Sequence, residues 1–253
     1  MGYLCRKIAV GIGACQGMLQ KEKRVQKKAE TEDYAEALTQ AENGEFAWSK
    51  GGLKKQIVAL TAENAELKAY IADPVVVDEM IPEARYSGPP ECPRLSIFHA
   101  LNQKAVAKRY AKEVGKKYED LNLLVCHMGG GISIAAHEQG WAVDANNALD
   151  GEGPFSPERS GTLPAADLIH LCYSGKYTKE ELLKRIAGQA GLVAHLGTTN
   201  VKEMIEQIEQ GDKKVELLIN AMIYQVAKSI AAQGAVLCGK VDAILITGGI
   251  AYS

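Results

Sequence analysis

The chain has 253 residues, 47% of them hydrophobic, so it is long enough for one large domain or two smaller ones with buried cores. Its 29 basic and 31 acidic residues nearly cancel, which leaves no broad positive field to attract a nucleic-acid backbone or an anionic membrane. We therefore expect a globular protein that binds neither nucleic acid nor membranes.

The cysteines indicate the compartment. Six of them are scattered along the chain without a CxxC pair, and Cys126 and Cys238 lie within or beside apolar runs, as reduced core thiols do. This usage favours a cytoplasmic protein. The first 20 residues contain two early cations and a weak apolar run, but Gly11, Gly13 and Gly17 interrupt it, so a signal peptide is poorly supported.

The first 68 residues predict a mostly helical segment. Residues 18–45 contain a positive block followed by a negative one, which is typical of a solvated helix. Residues 56–71 carry apolar side chains at steps of three and four, the pattern of a helix that docks on a sheet. Asn64 lies on this stripe, so a short coiled-coil interaction module is the alternative interpretation.

The next stretch predicts a strand, a loop and a helix. An apolar, β-branched run starts at Tyr70, is broken at Asp73 and Pro74, and continues to Val77. Three prolines between positions 89 and 93 predict a rigid loop, and residues 96–118 predict a helix whose basic residues become more frequent towards its C-terminal end. The apolar positions of this helix include Ala100, Leu101, Ala105, Val106 and Ala107.

The second part of the chain starts after Asp120. Three short apolar runs separated by glycine turns predict a meander of three strands. A polar loop over 146–164 follows, then helices near 165–173, 178–187 and 200–232, and a closing strand over 241–249. Strands, then helices, then a strand indicate an α/β domain with a mixed sheet.

Three consecutive glycines, 129–131, follow the first of these strands. Such a run is entropically costly unless the backbone turns sharply or approaches another group closely. It lets several backbone N–H groups point at one anion, and Ser133 can add a hydroxyl. A purely structural hairpin turn is the alternative, since the trailing Lys and Ser/Thr of a Walker phosphate loop are absent.

The loop over 146–164 is dense in Gly and Pro and contains several charges. Long ordered loops of this kind tend to be functional. Arg159 is the group best suited to grip a carboxylate or phosphoryl oxygens, because its planar guanidinium binds such groups bidentately. The alternative is a loop held together by its own ion pairs, formed among Asp150, Glu152, Glu158 and Arg159.

Five segments, in this order and spacing, resemble the butyrate kinases of the acetokinase family, which belongs to the actin-like phosphotransferases. They are DPVVVDEM, SIFHALNQKAVAKRYAKE, HMGGGIS, NNALDGEGPFSPERSGTLP and TGGIAYS. The resemblance implies an RNase H-like (actin-like ATPase) fold with mixed sheets and a nucleotide cleft between two lobes. Residues 1–68 would then be a divergent N-terminal segment, 69–119 the remainder of the first lobe, and 120–253 the second, nucleotide-binding lobe.

The resemblance also implies catalytic roles. Asp73 matches the acidic residue associated with Mg²⁺ and the transferring phosphoryl group, and His99 matches the histidine that contacts that group. Arg159 matches the arginine that stabilises it. Phosphoryl transfer depends on positioning and on cations around the equatorial oxygens, and we expect Mg²⁺, Arg159 and the histidines to supply that charge. From the residues alone, His99 reads equally as a helix N-terminal residue and Asp73 as a turn residue.

Further matches concern the nucleotide. The resemblance implies that His127 opens a phosphate-binding hairpin, and that the residues cradling the ATP phosphates are Gly129, Gly130, Gly131 and Ser133. Gly248 and Gly249 match the turn on the adenosine side. His127 reads equally as a histidine at the end of a strand.

The function implied is transfer of the ATP γ-phosphoryl group to a short-chain carboxylate, with butyrate as acceptor, Mg²⁺ as cofactor and a homo-oligomeric assembly. The family's first phosphate loop and its later Mg²⁺-binding acidic residue have no counterpart in this sequence. The sequence therefore predicts that both lobes are incomplete. A catalytically impaired fragment, which retains at most nucleotide binding or self-association, is the second hypothesis.

Overall fold

A computed structural model describes residues 72–252, so the predictions for residues 1–68 lie outside the described residues. The described residues from Asp73 onward belong to one compact unit. Its helices and strands are, in chain order, α1 (Ala100–Glu113), β1 (Asn122–Met128), β2 (Ile132–Glu138), β3 (Trp141–Ala145), α2 (Ala165–Cys172), α3 (Lys179–Ile186), α4 (Leu192–Leu196), α5 (Val201–Glu209), α6 (Lys213–Val236) and β4 (Ala243–Thr247). Short 3₁₀ turns cover Pro82–Arg85, Tyr118–Asp120 and Gly249–Tyr252.

The four strands form one mixed sheet in the order β3-β2-β1-β4. β1 pairs with β2 and β2 with β3 in antiparallel fashion, whereas β4 runs parallel to β1 on its other side. The predicted meander and the closing strand are therefore confirmed. Because β1 and β4 are parallel neighbours, their carboxyl ends, followed by Gly129 and Gly248, meet at the same edge of the sheet.

Helices cover both faces of the sheet. Alternate β1 residues point to opposite sides: Leu124 and Cys126 join the cluster built with α6, while Leu123 and Val125 join the cluster built with α1. All four are buried, which explains why β1 reads as a continuous apolar run. The predicted boundary between lobes, at 119/120, falls between α1 and β1 and stays a prediction.

Among the described residues, one helix, α6, has the length and composition of a membrane span. One side of it nevertheless packs into the core through Ile219, Met222, Val226 and Ile230, which are at most 5% exposed. A long core helix meets the same length and composition criterion, so this helix gives no reason to revise the expectation that the chain does not enter a membrane.

The helix predicted over 200–232 is two helices, α5 and α6. The chain turns between them at Gly211, whose φ is +96°, and the Asp212 side chain then accepts hydrogen bonds from the backbone N–H groups of Lys214 and Val215. An Asp cap after a left-handed glycine ends one helix and starts another. The short helix α4 was not predicted.

The strand predicted from Tyr70 to Val77 is wrong where the structure describes it. From residue 72 onward this segment is irregular, and the Val77 N–H donates to the Pro74 carbonyl across a turn, 2.9 Å. Val75 and Val76 are 49% and 64% exposed. The turn at Asp73 and Pro74 therefore outweighs the β propensity of the valines that follow.

The buried face of α1 does not coincide with its apolar positions. Leu101 and Ala105 are exposed, whereas Gln103 and Lys104 are buried beside Ala107. Polar side chains occupy this face because each finds a partner there, as described below, and a buried polar group is tolerated when it is hydrogen-bonded.

The four described cysteines are free thiols. Cys126 is buried as expected, but Cys238 is exposed. Cys238 follows the end of α6 with a φ of +52°, so it belongs to the turn that ends the helix, and the prediction of a core thiol there is wrong.

Candidate functional site

Two histidines predicted from distant motifs lie against each other. His99 is the residue before the first turn of α1, and His127 is the penultimate residue of β1. Their rings stack with centroids 3.8 Å apart and planes 15° from parallel. His127 Nδ1 lies 2.8 Å from Asn102 Oδ1, and since an amide oxygen accepts, that ring nitrogen donates.

Both histidines are neutral near pH 7. Burial lowers the pKa of His99, and the positive charge of Arg159 lowers it further. Burial lowers the pKa of His127 to about 4, with a further contribution from His99. Burial favours the uncharged ring, which opposes the expectation that the histidines supply positive charge. They act as neutral hydrogen-bonding groups.

The glycine run forms the turn between β1 and β2, with the Gly129 N–H donating to the Gly131 carbonyl, 3.0 Å. The turn is tightly surrounded. A Cβ at Gly130 would collide with the Glu158 carboxylate, and a Cβ at Gly131 would lie 3.8 Å from His99 Cε1 and 3.9 Å from Arg159 Cγ. The glycines therefore let the turn fit between the histidine and the polar loop.

Arg159 reaches this turn from the polar loop. The loop is fastened to the turn by the Ser156 hydroxyl, which donates to the Gly130 carbonyl and accepts from the Arg159 N–H, 3.1 Å. Among the ion pairs of the described residues, none involves Arg159. Its guanidinium is thus available for an anion, in contrast to the alternative in which the loop's own ion pairs engage it.

A different arginine, Arg94, holds the loop. It pairs with Asp144 at 3.0 Å and with Glu152 at 3.2 Å, and Glu152 also accepts from the Asn147 N–H, 2.8 Å. The sequence carried no local sign of this role, because Arg94 lies 58 residues from Glu152 in the chain.

Asp73 lies in a turn with a φ of +41°, and its carboxylate is 3.9 Å from Lys104 Nζ. Lys104 also pairs with Glu79. The backbone near Asp73 approaches the segment before His99, since the Phe98 N–H donates to the Val75 carbonyl, 3.3 Å. Within residues 72–252, no group of three or more acidic, His or Cys side chains is arranged to hold a metal ion.

The Ser133 hydroxyl, expected to help hold phosphate, is engaged inside the protein. Ser133 is fully buried, and its hydroxyl lies 2.8 Å from His99 Nδ1 and 2.8 Å from Gln103 Nε2. Its hydroxyl is thus committed to protein groups, which opposes the predicted role of Ser133 in holding phosphate.

Gly248 and Gly249 end β4 beside the glycine turn. Gly248, at φ +92°, packs so closely that a Cβ would lie 2.7 Å from the Met128 carbonyl carbon. Gly249 helps to line a cleft of about 320 Å³. The other residues lining it are Gly129, Gly130, Pro157, Glu158, Thr199, Asn200, Val201, Lys202 and Ile250. The structure thus brings both glycine turns to one cleft.

Sequence reasoning missed the other wall of this cleft. Asn200 caps α5, its side chain accepting from the Glu203 N–H, and exposed Lys202 lies in the first turn. The signal available was the sequence TTN before an amphipathic helix, which marks a helix start whose N–H groups favour anions. Asn102, Gln103 and His137 were also missed.

Glycine turns follow two parallel strands at the same end of a mixed α/β sheet, and Gly129 and Gly249 line one cleft there. The fold is that of the actin-like ATPases. An acetate kinase from Porphyromonas gingivalis matches with a TM-score of 0.62 at 23% identity, over 68% of this chain and 45% of that chain. A propionate kinase from Francisella tularensis matches with a TM-score of 0.60 at 26% identity, over 68% and 46%.

The family follows from sequence. The acetokinase family model matches residues 94–252, and the chain belongs to that family. A probable butyrate kinase from Bacteroides thetaiotaomicron is 66% identical over 194 residues, covering 77% of this chain and 55% of that protein. Butyrate kinase 2 from Clostridium acetobutylicum is 59% identical over 210 residues, covering 83% of this chain and 58% of that protein. The chain thus spans a little over half the length of these relatives.

Proposed function

We propose that this chain carries the phosphoryl-transfer site of a carboxylate kinase, which moves the γ-phosphoryl group of ATP to butyrate and yields butyryl phosphate and ADP. The observation that carries the proposal is the convergence of His99 and Arg159 on Gly131, where a Cβ would lie within 4 Å of both side chains. The names of the relatives from Bacteroides and Clostridium support butyrate as the acceptor.

The nucleotide would occupy the cleft between the two glycine turns. Its phosphates would approach the backbone of Gly130, because a glycine allows close contact with the main chain. The Gly129 N–H is already committed to the Gly131 carbonyl. Gly249, which lines the same cleft, would contact the remainder of the nucleotide. Lys202 would add a cation near the phosphates.

The transferring phosphoryl group would lie between the two stacked histidines and Arg159. Arg159 has the geometry to hold two phosphoryl oxygens at once. His99 would contribute a hydrogen bond rather than charge, since burial lowers the pKa of its ring. Neutral His127 donates from Nδ1 to Asn102 and would support His99 by stacking. Catalysis would then rest on positioning and on a preorganised cation, as expected for phosphoryl transfer.

Mg²⁺ fits this arrangement through Asp73. Magnesium is usually held by one or two carboxylates together with substrate phosphates and water, not by a complete protein cage. A single carboxylate that is about a quarter exposed and 3.9 Å from its cationic partner Lys104 meets that description. When bound, Mg²⁺ would neutralise charge on the ATP phosphates, and Lys104 would hold the Asp73 carboxylate in place.

We also propose a cytoplasmic location and a homo-oligomeric assembly. The free thiols of the four described cysteines suit a reducing compartment. The exposed apolar residues of α2, among them Ile169, suit a subunit contact.

The proposal is tested by incubating the full chain with MgATP and butyrate and trapping butyryl phosphate with hydroxylamine. We expect acyl phosphate to form, and we expect Arg159→Ala to reduce its rate by a factor on the order of 10² to 10³. Arg109→Ala is the matched control, because Arg109 pairs with Glu113 on the surface of α1. A rate for the wild-type chain no higher than that of Arg159→Ala would contradict the proposal and favour the impaired fragment.

A further inference from the structure

A continuous row of five polar side chains runs through the core and ends at His99. We call it the polar chain: Tyr118, His137, Gln103, Ser133 and His99. Its four contacts are Tyr118 Oη to His137 Nδ1, 2.6 Å; His137 Nε2 to Gln103 Oε1, 3.0 Å; Gln103 Nε2 to Ser133 Oγ, 2.8 Å; and Ser133 Oγ to His99 Nδ1, 2.8 Å. Its three middle members have no solvent exposure, so the phosphate cleft does not explain them.

The direction of every hydrogen bond in the polar chain can be assigned. Gln103 Nε2 also lies 3.1 Å from the Ser133 carbonyl oxygen. A carbonyl oxygen only accepts, so this contact fixes the amide with its nitrogen towards Ser133 and its oxygen towards His137. His137 must therefore donate from Nε2 and accept at Nδ1 from the Tyr118 hydroxyl.

The hydrogen bonds at His99 can be assigned in the same way. The Ser133 hydroxyl oxygen accepts from Gln103 Nε2 and, at 3.3 Å, from the His99 backbone N–H. Its one hydrogen atom is then left for His99 Nδ1, which accepts it. A neutral imidazole that accepts at Nδ1 carries its hydrogen on Nε2.

We propose that Gln103, Ser133 and His137 are positioning residues that hold His99 as the Nε2–H tautomer and aim that N–H at a phosphoryl oxygen. The tautomer of His99 is inferred from the polar chain alone. The aim of its N–H at a phosphoryl oxygen rests on the proposed function. Burial supports the proposal independently, because it lowers the pKa of both His99 and His137 and keeps the two rings neutral. A hydrogen-bonded partner on one ring nitrogen commonly fixes the tautomer that the other nitrogen presents.

Helix α1 thereby has a function beyond packing. Gln103 lies one helical turn after His99, so both residues face the same side of α1. In register, Ser133 stands opposite His127 across the β1–β2 pair. The Ser133 hydroxyl and the Gln103 amide thus join α1 to the β1–β2 hairpin beside the histidine pair. Every hydrogen atom of these two groups takes part in a hydrogen bond.

The tautomer is measured directly by ¹⁵N NMR of the full chain labelled at its histidines. The sequence has five histidines, and the His99 signals are identified by their loss in His99→Gln. We expect the wild-type Nδ1 signal at the position of an unprotonated ring nitrogen and the Nε2 signal at that of an N–H. The reverse pattern in the wild-type protein would overturn the proposal without any need for variants.

Two variants, Ser133→Ala and Gln103→Leu, test the cause. We expect each to give His99 a mixture of the two tautomers and, in the trapping assay, to lower kcat about tenfold with little change in the KM for ATP. Ile219→Ala is the control for lost stability, because it opens a cavity in the core away from the polar chain. His99 should keep the Nε2–H tautomer in this control.

The outcomes separate the two proposals. A single Nε2–H tautomer that persists in Ser133→Ala and Gln103→Leu would overturn the positioning role, and so would a kcat loss no larger than that of Ile219→Ala. A tautomer shift in a chain that forms no acyl phosphate would support the role of the polar chain and count against the proposed function.

Discussion

The imidazole rings of His99 and His127 lie face to face with 3.8 Å between their centroids. Each uses Nδ1 for a contact within the protein, with Ser133 Oγ and Asn102 Oδ1 respectively. Since the Asn102 oxygen accepts, a neutral His127 presents an acceptor at Nε2. A stacked pair of this kind resists protonation, because burial and a neighbouring positive charge both disfavour the imidazolium.

This pair makes stability depend on pH. His127 has a pKa of about 4 in the folded chain against 6.5 in the unfolded chain, so the unfolded state binds more protons between these values. The free energy of unfolding therefore rises with pH between about 4 and 6.5. Above pH 6.5, His127 no longer makes it depend on pH. Each such histidine contributes up to about 1.4 kcal/mol per pH unit.

We expect urea unfolding to show that the free energy of unfolding increases from pH 5 to pH 7 in the wild-type chain. The increase should be smaller in His127→Gln, by about 1 to 2 kcal/mol. His170→Gln, at an exposed position of α2, is the matched control. Equal pH dependence in His127→Gln and the wild type would contradict a depressed pKa for His127.

The ion pair between Lys104 and Glu79 is buried, whereas the pair between Arg109 and Glu113 on the same helix is exposed. Removing one partner of a buried pair leaves an uncompensated charge and costs about 3 to 5 kcal/mol. We expect Lys104→Met to lower the free energy of unfolding by that amount and Arg109→Met by about 0.5 kcal/mol or less.

The double variant Lys104→Met/Glu79→Gln tests this explanation. An amide at position 79 still accepts from the Ala142 N–H, which now lies 2.8 Å from Glu79 Oε2, but it carries no charge. We expect it to recover at least half of the stability lost in Lys104→Met. No recovery would mean that lost packing, and not the unpaired carboxylate, causes the destabilisation.

Gly248 and its neighbour Gly249 make a matched pair. A Cβ at Gly248 would lie 2.7 Å from the Met128 carbonyl carbon at a φ of +92°, whereas a Cβ at Gly249 would meet no atom within 4 Å. We expect Gly248→Ala to lower the free energy of unfolding by about 2 kcal/mol or more, since strain and overlap add. Gly249→Ala should stay within about 0.5 kcal/mol of the wild type; equal losses would contradict this account.

Lys202 is exposed and lines the cleft. Among the described residues, it takes part in no ion pair. We expect Lys202→Ala to raise the KM for ATP about threefold to tenfold at low salt and to leave kcat nearly unchanged, as loss of uniform binding does. The effect should shrink at high salt, because the charge is exposed. Lys228→Ala, whose side chain contacts the Tyr224 ring on α6, should leave the KM unchanged.

Much of the fold could be predicted from local pattern. The strands β1 to β4 follow from short apolar runs between glycine turns, and α1 lies inside the helix predicted over 96–118, shorter at both ends. The family resemblance named His99, His127 and Arg159, which the structure brings to one place. Local pattern failed at residues 72–77, where a turn overrides β-branched residues, and at α5 and α6, where one glycine divides a helical run.

The sequence by itself determined the strands, the glycine turns, the family and the residue types of the site. Only the tertiary structure decided which of those residues are free to act. His99 and Ser133 are 34 residues apart, and Arg94 and Glu152 are 58 apart; their pairing depends on long-range packing that periodicity does not encode. Burial then makes the histidines neutral and commits the Ser133 hydroxyl to His99, because desolvation penalises charge and every buried polar group needs a partner.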